Sequence, residues 1–231
     1  MSDTLNPLRA VFALPPEDVA SSDFEAWHAQ EMAGLLRLDG VVSARLYSLQ
    51  PSVGAGEVSP AVYRYCGLYE IDGGDRAATL ARIDAAVGGG TAPDFVARTR
   101  FAVYDLTEID EIRPAHTLDA EQLYLVFSAP PAGVSAEAYD AWYHDHAREN
   151  VEIGELAAAH RWDAIASRID PLLPPHASHV ASYELTAGKD TMNRLLNAAI
   201  ADGRIVLPEW FGGITFGSAQ ITALTERVRA E

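Results

Sequence analysis

Cysteine is almost missing from this chain, since Cys66 is the only one among 231 residues. A single thiol excludes an internal disulfide framework and a zinc site built from cysteines. Lysine is equally rare, because Lys189 is the only one, and 33 acidic against 17 basic residues give a net charge of −16. Nucleic acids and anionic membranes bind through Lys and Arg, so the charge argues against both as partners.

Long hydrophobic runs are also missing, and no segment approaches the roughly 18 apolar residues of a membrane span. The first residues, MSDTLNPLRAVFALPPED, lack the basic region and long apolar stretch of a secretory signal. With 48% hydrophobic and 22% charged residues, the composition is that of an ordinary globular protein. We therefore expect a cytoplasmic protein with a sizeable core.

The chain repeats itself at an offset of 115 residues. The segment 8–27, LRAVFALPPEDVASSDFEAW, aligns without gaps with 123–142, LYLVFSAPPAGVSAEAYDAW, and eight of the twenty positions are identical. Weaker matches follow in the same order, among them Tyr69-Glu70-Ile71 with Tyr183-Glu184-Leu185. Several matches in one order indicate an internal duplication.

Both halves predict the same series of elements. A β-rich apolar run is followed by a helix, at 21–36 and 135–158, then by two strands, a second helix and a last strand. This β-α-β-β-α-β order is that of a ferredoxin-like unit. We predict an α+β fold of two ferredoxin-like repeats, 1–112 and 113–231, whose antiparallel sheets pack into an α+β barrel, with 107–121 as the linker.

An aromatic-x-x-Trp stretch follows the first strand of each half, as Phe24-Glu25-Ala26-Trp27 and Tyr139-Asp140-Ala141-Trp142, and residues 41–47 read Val-x-Ser-Ala-Arg-x-Tyr. These motifs resemble the dimeric α+β barrel superfamily, most closely its EthD-like proteins, and the resemblance covers nearly the whole chain as two tandem copies. Members usually pair two such domains between subunits, whereas here one chain would supply both. The superfamily includes decarboxylases, lactone isomerases, polyketide cyclases, cofactor-free monooxygenases and haem-degrading enzymes.

The two halves differ most along one stripe of the first helix, which we expect to face the sheet. The stripe reads Phe24, Trp27, Glu31 and Leu35 in the first half and Tyr139, Trp142, His146 and Asn150 in the second. Burying an unpartnered amide or imidazole costs on the order of 1–3 kcal/mol, so the polar stripe indicates a lined cavity. We expect apolar side chains to fill the equivalent space in the first half, and we expect His28 to lie on the surface of that half.

The predicted pocket therefore lies between the sheet and the helices of the second half. Its predicted catalytic residues are His146, His179, His160 and Tyr139. Its predicted substrate-binding residues are Trp142, Asn150, Trp162, Arg161 and Trp210. Strand side chains alternate between two faces, so His160 and His179 either line the pocket or pack elsewhere. His146 is otherwise a helix histidine bonded to a carbonyl.

A metal site is a weaker hypothesis for these histidines. His144 and His146, joined by His160 and His179, offer enough imidazole nitrogens. Residues two apart on a helix point about 200° apart, however, so the pair cannot easily share one ion. We therefore predict no metal and no cofactor.

The resemblance implies a cofactor-independent lyase, a decarboxylase acting on an aromatic carboxylic acid. From the residues themselves we expect a histidine that transfers a proton, Tyr139 as a hydrogen-bond donor and an arginine that binds the carboxylate of the substrate. An isomerase or cyclase, a cofactor-free monooxygenase and a non-catalytic protein that binds aromatic ligands are the alternatives. We expect a small aromatic substrate as partner, and the duplication leaves a homodimer open.

Overall fold

The computed structural model describes residues 6–51, 62–87, 92–113, 115, 117–168 and 177–230. The first half contains β1 (Leu8–Leu14), α1 (Ser21–Leu35), β2 (Val41–Pro51), β3 (Tyr65–Ile71), α2 (Arg76–Ala86), α3 (Asp94–Arg98) and β4 (Arg100–Ile112). The second half contains β5 (Gln122–Ala129), α4 (Ala136–Ile153), β6 (Ala159–Arg168), β7 (His179–Glu184), α5 (Lys189–Ala201), β8 (Thr215–Ala223) and β9 (Val228–Arg229). Apart from α3 and the short β9, both halves have the predicted order of elements.

Eight of these strands close into one antiparallel barrel. Neighbouring strands run in the order β2-β3-β1-β4 in the first half and β6-β7-β5-β8 in the second. The halves join edge to edge, because β4 pairs with β6 and β2 pairs with β8. The predicted α+β barrel is confirmed, and the two sheets form it through their edges rather than by covering each other's faces.

Alternate strand residues fill the interior of the barrel. On β1 the inward residues include Phe12, and on β5 they include Phe127, and these two rings lie 5.7 Å apart at 70°. Tyr104 of β4 contacts both of them. The interior is thus one core to which both halves contribute, which ties their stability together.

Helices cover the outer face of the barrel, α1 and α2 over the first half and α4 and α5 over the second. Helix α4 begins after Ser135, an N-cap whose hydroxyl accepts a hydrogen bond from the Ala138 N–H. Its buried stripe is Tyr139, Tyr143, Ala147, Asn150 and Val151. The helix is therefore rotated slightly from the predicted stripe, and Trp142 and His146 lie at the edge of the buried face.

The predicted linker is shorter than expected. Strand β4 continues to Ile112, because residues 107–112 pair with β6 across the junction of the halves. Only residues 113–121 connect β4 to β5, and they include a short 3-10 turn at Thr117–Asp119. The proposed division into 1–112 and 113–231 stays a prediction.

In the described ranges, no helix has both the length and the apolar character needed to cross a bilayer.

Truncating Phe12 tests the shared core. Phe12 is fully buried between rings of both halves, so Phe12→Ala should lower the free energy of unfolding by about 3–5 kcal/mol. Urea unfolding followed by circular dichroism should still show one transition. The control Ile165→Ala removes a side chain that is 66% exposed on β6, and we expect a change within about 0.5 kcal/mol. Two separate transitions, one per half, would contradict a common core.

Candidate active site

A cavity of about 240 Å³ lies between the outer face of the barrel and the helices of the second half. Its lining comes from β5, β7, α4, α5 and residues 207–214: Tyr124, Val126, Ser128, Tyr139, Trp142, Tyr143, His146, Asn150, Tyr183, Met192, Asn193, Leu196, Asn197, Ile200, Leu207, Phe211 and Ile214. The cavity lies where the sequence predicts a pocket, between the sheet and the helices of the second half. We call it the α4–α5 cavity.

His146 lines this cavity with an imidazole that the protein leaves unused. The side chain is 14% exposed, its Nδ1 atom is buried without a hydrogen-bond partner, and the nearest carboxylate oxygen, on Glu149, is 3.8 Å away. The ring stacks on Trp142 at 4.8 Å and 16°. Burial lowers the pKa of His146 to about 4, so the imidazole is neutral near pH 7.

Tyr139 and Asn150 also line the cavity, and each forms a buried hydrogen bond. The Tyr139 hydroxyl donates to the Ser128 Oγ at 2.7 Å, and Asn150 Nδ2 donates to the Tyr183 hydroxyl at 3.2 Å. Asn150 Oδ1 is buried with no partner. Burial raises the pKa of Tyr139 to about 12, so it stays a protonated donor. The open hydrogen-bonding capacity therefore includes Asn150 Oδ1.

The aromatic wall of the cavity consists of Trp142 and its neighbours. Trp142 stacks on Tyr143 at 5.4 Å and meets Phe211 edge-on at 5.8 Å. Trp210 packs behind this wall, 5.0 Å from Trp142 and 6.2 Å from Tyr139, and is not among the lining residues. Trp210 thus supports the wall instead of facing a ligand.

His160 and Trp162, both predicted at the site, point into the barrel interior and do not reach the cavity. On β6 they alternate with Arg161, which faces the helices. His160 is fully buried, with Nδ1 2.8 Å from Glu108 Oε1, and Trp162 Nε1 donates to the Ser182 Oγ at 3.0 Å. The alternation of strand side chains is the physical reason for both corrections.

Arg161 and His179 face the helices but lie outside the cavity. Arg161 donates to the Asp140 carboxylate at 2.8 Å, and its guanidinium stacks over Tyr143 at 4.9 Å. His179 packs on Tyr139 at 5.1 Å and has Asp140 at 3.6 Å. Arg161 is therefore engaged within the protein and is not placed to hold a carboxylate in the cavity.

Among the residues that the structure describes, no Asp, Glu, Lys or Arg side chain lines this cavity. A bound anion would have no counterion there, and a bound cation would have no carboxylate. Burial of an unpaired charge is strongly unfavourable, so the cavity favours a neutral ligand. This lining does not supply the guanidinium that the sequence led us to expect for a substrate carboxylate.

The histidines do not converge on a metal. His144 points away from the cavity, with Nδ1 2.6 Å from the Asp110 carboxylate. His160 lies in the barrel interior, on the other side of the sheet from His146. Among the residues that the structure describes, no three His, Cys, Asp or Glu side chains are grouped to hold an ion.

Several lining residues were not predicted. Tyr143 and Tyr183 come from the buried faces of α4 and β7, and Asn193 and Asn197 come from α5. The two asparagines are four residues apart on one helix face, which is a signal that the sequence carried. Tyr183 matches Tyr69 when the sequences of the two halves are aligned. Because both halves have a tyrosine at this position, the sequence gave no reason to assign Tyr183 to a site in the second half.

The first half is not solidly packed, which corrects another expectation. A second cavity of about 340 Å³ lies there, between α1, α2 and the outer face of the barrel. Its lining is Arg9, Val11, Trp27, His28, Glu31, Leu35, Tyr69, Ile83, Asp84, Val87, Phe101, Val103, Ser167 and Arg168. His28, expected at the surface, is 4% exposed, because the buried stripe of α1 runs through it. We call this the α1–α2 cavity.

No family model and no curated protein matches the sequence. Among solved structures, the chain is similar to an anthrone oxidase-like protein, with a TM-score of 0.58, 13% identity, and 99% of this chain and 94% of that chain covered. A proposed monooxygenase from Fusobacterium nucleatum subsp. nucleatum gives a TM-score of 0.50 with 8% identity over 98% and 97% of the chains. A proposed chlorite dismutase gives 0.51 with 10% identity over 96% of each. Similarities at these identities show a shared fold and nothing more.

The buried imidazole of His146 should make stability depend on pH. The unfolded chain binds this proton at its ordinary pKa of about 6.5, and the folded chain binds it only near 4. Stability is therefore lost as the pH falls from about 6.5 towards 4, by about 3 kcal/mol for this group. Replacing His146 with Phe removes that loss, which urea titrations at about pH 7 and pH 4 measure. Tyr143→Phe keeps every imidazole and should retain the wild-type pH dependence, and an unchanged dependence in His146→Phe would refute the assignment.

Proposed function

We propose that this chain is an enzyme that removes a proton from a neutral aromatic substrate bound in the α4–α5 cavity, with His146 as the general base. The observation that carries the proposal is the neutral imidazole of His146, whose buried Nδ1 has no hydrogen-bond partner, in an aromatic cavity with no charged side chain among its described lining residues. A buried histidine with no internal partner costs free energy of unfolding, and a substrate that hydrogen-bonds to it offsets that cost.

The cavity supports a compact, flat substrate. A dry protein cavity of about 150 Å³ suffices for benzene, and small-molecule sites commonly occupy about 300–1,000 Å³, so about 240 Å³ suits a small aromatic compound. Trp142 and Phe211 offer ring faces and edges. A neutral phenol or an aromatic ketone with acidic C–H bonds fits both the shape and the missing charge.

His146 would act first, by taking the acidic proton of the substrate. The negative charge then develops on the substrate oxygen, which needs a hydrogen-bond donor. Ser128 is suited to this role, because it lines the cavity and its hydroxyl, which accepts from Tyr139, carries a proton of its own. In this scheme Tyr139 polarises Ser128 and does not contact the substrate charge directly.

Oxygenation is the reaction that we propose after proton removal, and O₂ is the co-reactant. The carbanion reduces O₂ and forms a C–O bond to give a hydroperoxide, which loses water as a carbonyl forms. One oxygen atom enters the product and the other leaves as water, so a CH₂ group becomes C=O. The likeness to a protein named anthrone oxidase-like supports oxidation as the class of reaction. Decarboxylation and isomerisation stay predictions from the sequence, and the uncharged lining gives the first of them no carboxylate site.

Substitution of His146 tests the proposal. With anthrone as substrate, the wild type should consume one O₂ for each quinone formed, and His146→Ala should lower kcat by about 100-fold or more. His144→Ala, on the exposed side of the same helix, should stay within about threefold. Oxygen uptake and product mass are the measurements, and 2-naphthoate incubated without O₂ tests carbon dioxide release.

Three outcomes would contradict the proposal. Carbon dioxide release without O₂ would favour the decarboxylase, and tight binding with neither gas exchanged nor product formed would favour a binding protein. A decrease of less than threefold in His146→Ala would remove this residue from the chemistry.

We also propose that the halves arose by tandem duplication of a ferredoxin-like, EthD-like unit. The matching strand registers support this proposal, because Leu8 of β1 pairs with Glu70 of β3 and the corresponding Leu123 of β5 pairs with Glu184 of β7. The homodimer that the sequence left open also stays a proposal.

A further inference from the structure

The α1–α2 cavity occupies the same place in the first half as the α4–α5 cavity does in the second. At the offset of 115 residues, Trp27 corresponds to Trp142 and Glu31 to His146, and each residue lines its own cavity. The duplication therefore places a cavity under the first helix of each half, with a carboxylate in one where the other has an imidazole.

We propose that the α1–α2 cavity is a second ligand site, which binds a neutral aromatic hydrogen-bond donor such as a phenol through the carboxylate of Glu31. This site is independent of the function proposed for the α4–α5 cavity. It differs also in its composition, because Ser167 and Arg168 of β6 join the lining, so both halves of the chain contribute to it.

Unpartnered polar atoms are the first support for a ligand. Glu31 Oε1 and His28 Nδ1 are both buried without a hydrogen-bond partner. His28 Nε2 lies 3.3 Å from the Tyr69 hydroxyl, so that nitrogen is engaged, and the other remains open. Burial lowers the pKa of His28 to about 4 and raises the pKa of Glu31. A buried carboxylate oxygen without a hydrogen-bond donor lowers the stability of the fold. A ligand hydroxyl would supply that donor.

Charges around the cavity favour a neutral ligand. Arg9 is held by Asp105 at 2.7 Å and by Asp84, which also lines the cavity, and Arg168 lies over the Phe101 ring at 5.4 Å. An anion would meet Glu31 and Asp84, whereas a cation would meet the two arginines. A neutral donor avoids both repulsions and still hydrogen-bonds to the carboxylate.

Aromatic side chains supply the remaining surface. Trp27 contacts Phe101 at 6.4 Å and 56°, and Tyr69 lines the cavity beside His28. Aliphatic side chains from β1, α2 and β4 complete the lining. A flat ring therefore gains apolar burial against these walls while its hydroxyl reaches Glu31.

Calorimetric titration with 2-naphthol tests this site in the full chain. We expect two equivalents to bind to the wild type and one to bind to Glu31→Leu, whose affinity at the first-half site should fall about tenfold or more. Gln30→Leu, the exposed neighbour on α1, should keep two equivalents. Naphthalene, which lacks the donor, and 2-naphthoate, which is an anion, should each bind this site at least about tenfold more weakly than 2-naphthol.

A second variant tests the same site in case Glu31→Leu does not fold. Trp27→Ala removes a wall instead of the acceptor and should also leave one equivalent, with the circular dichroism spectrum of the wild type. A single equivalent in the wild type that Trp142→Ala abolishes and Glu31→Leu leaves unchanged would overturn the proposal. Binding of 2-naphthoate at the Glu31 site as tight as that of 2-naphthol would overturn the choice of ligand class.

Discussion

In a closed barrel, consecutive residues of a strand face opposite environments, and this alternation decides which side chains can contact a ligand. Strand β6 shows it within three residues, since His160 and Trp162 enter the interior while Arg161 faces the helices. On β5 the outward residues Tyr124, Val126 and Ser128 line the α4–α5 cavity. A shift of register by one residue would exchange the two sets and abolish both core and site.

Separating the core from the cavities lets the protein keep polar groups that are costly to bury. The interior of the barrel holds rings from both halves, such as Phe12 and Phe127, and supplies apolar burial independent of the helices. The cavities lie outside it, where α4 and α1 cover the sheet. Unpartnered groups such as His146 Nδ1 and Glu31 Oε1 therefore reduce stability without interrupting the common core.

The sequence was sufficient for the order of elements and for the location of the second-half cavity. Periodicity and the 115-residue offset place most of the strands and helices. The polar substitution on α4 pointed to His146, Tyr139 and Asn150, and these three residues line the cavity. The orientation of β6 could not be predicted, because a run with apolar residues on both faces gives no reason to choose either one. His28 was predicted to be exposed for a different reason. The predicted stripe on α1 passed through Trp27, whereas the buried stripe passes through the next residue, His28.

The difference between the two cavities lies in their charge. Among the described residues, uncharged and aromatic side chains line the α4–α5 cavity around a neutral imidazole, whereas the other cavity combines two carboxylates with two arginines. The two halves thus contain two cavities under corresponding helices, and the chemistry of their linings differs. This account of the two cavities requires that ligands bind between the sheet and the helices. It requires that they do not bind in the barrel interior, where His160 and Trp162 lie buried.

A crystal structure of the protein soaked with anthrone without O₂ tests this view most directly. We predict the rings against Trp142, with the acidic carbon or the oxygen within about 3–3.5 Å of the His146 imidazole. Anthrone bound beside His160 inside the barrel, or found only on the outer surface with the α4–α5 cavity closed, would contradict it.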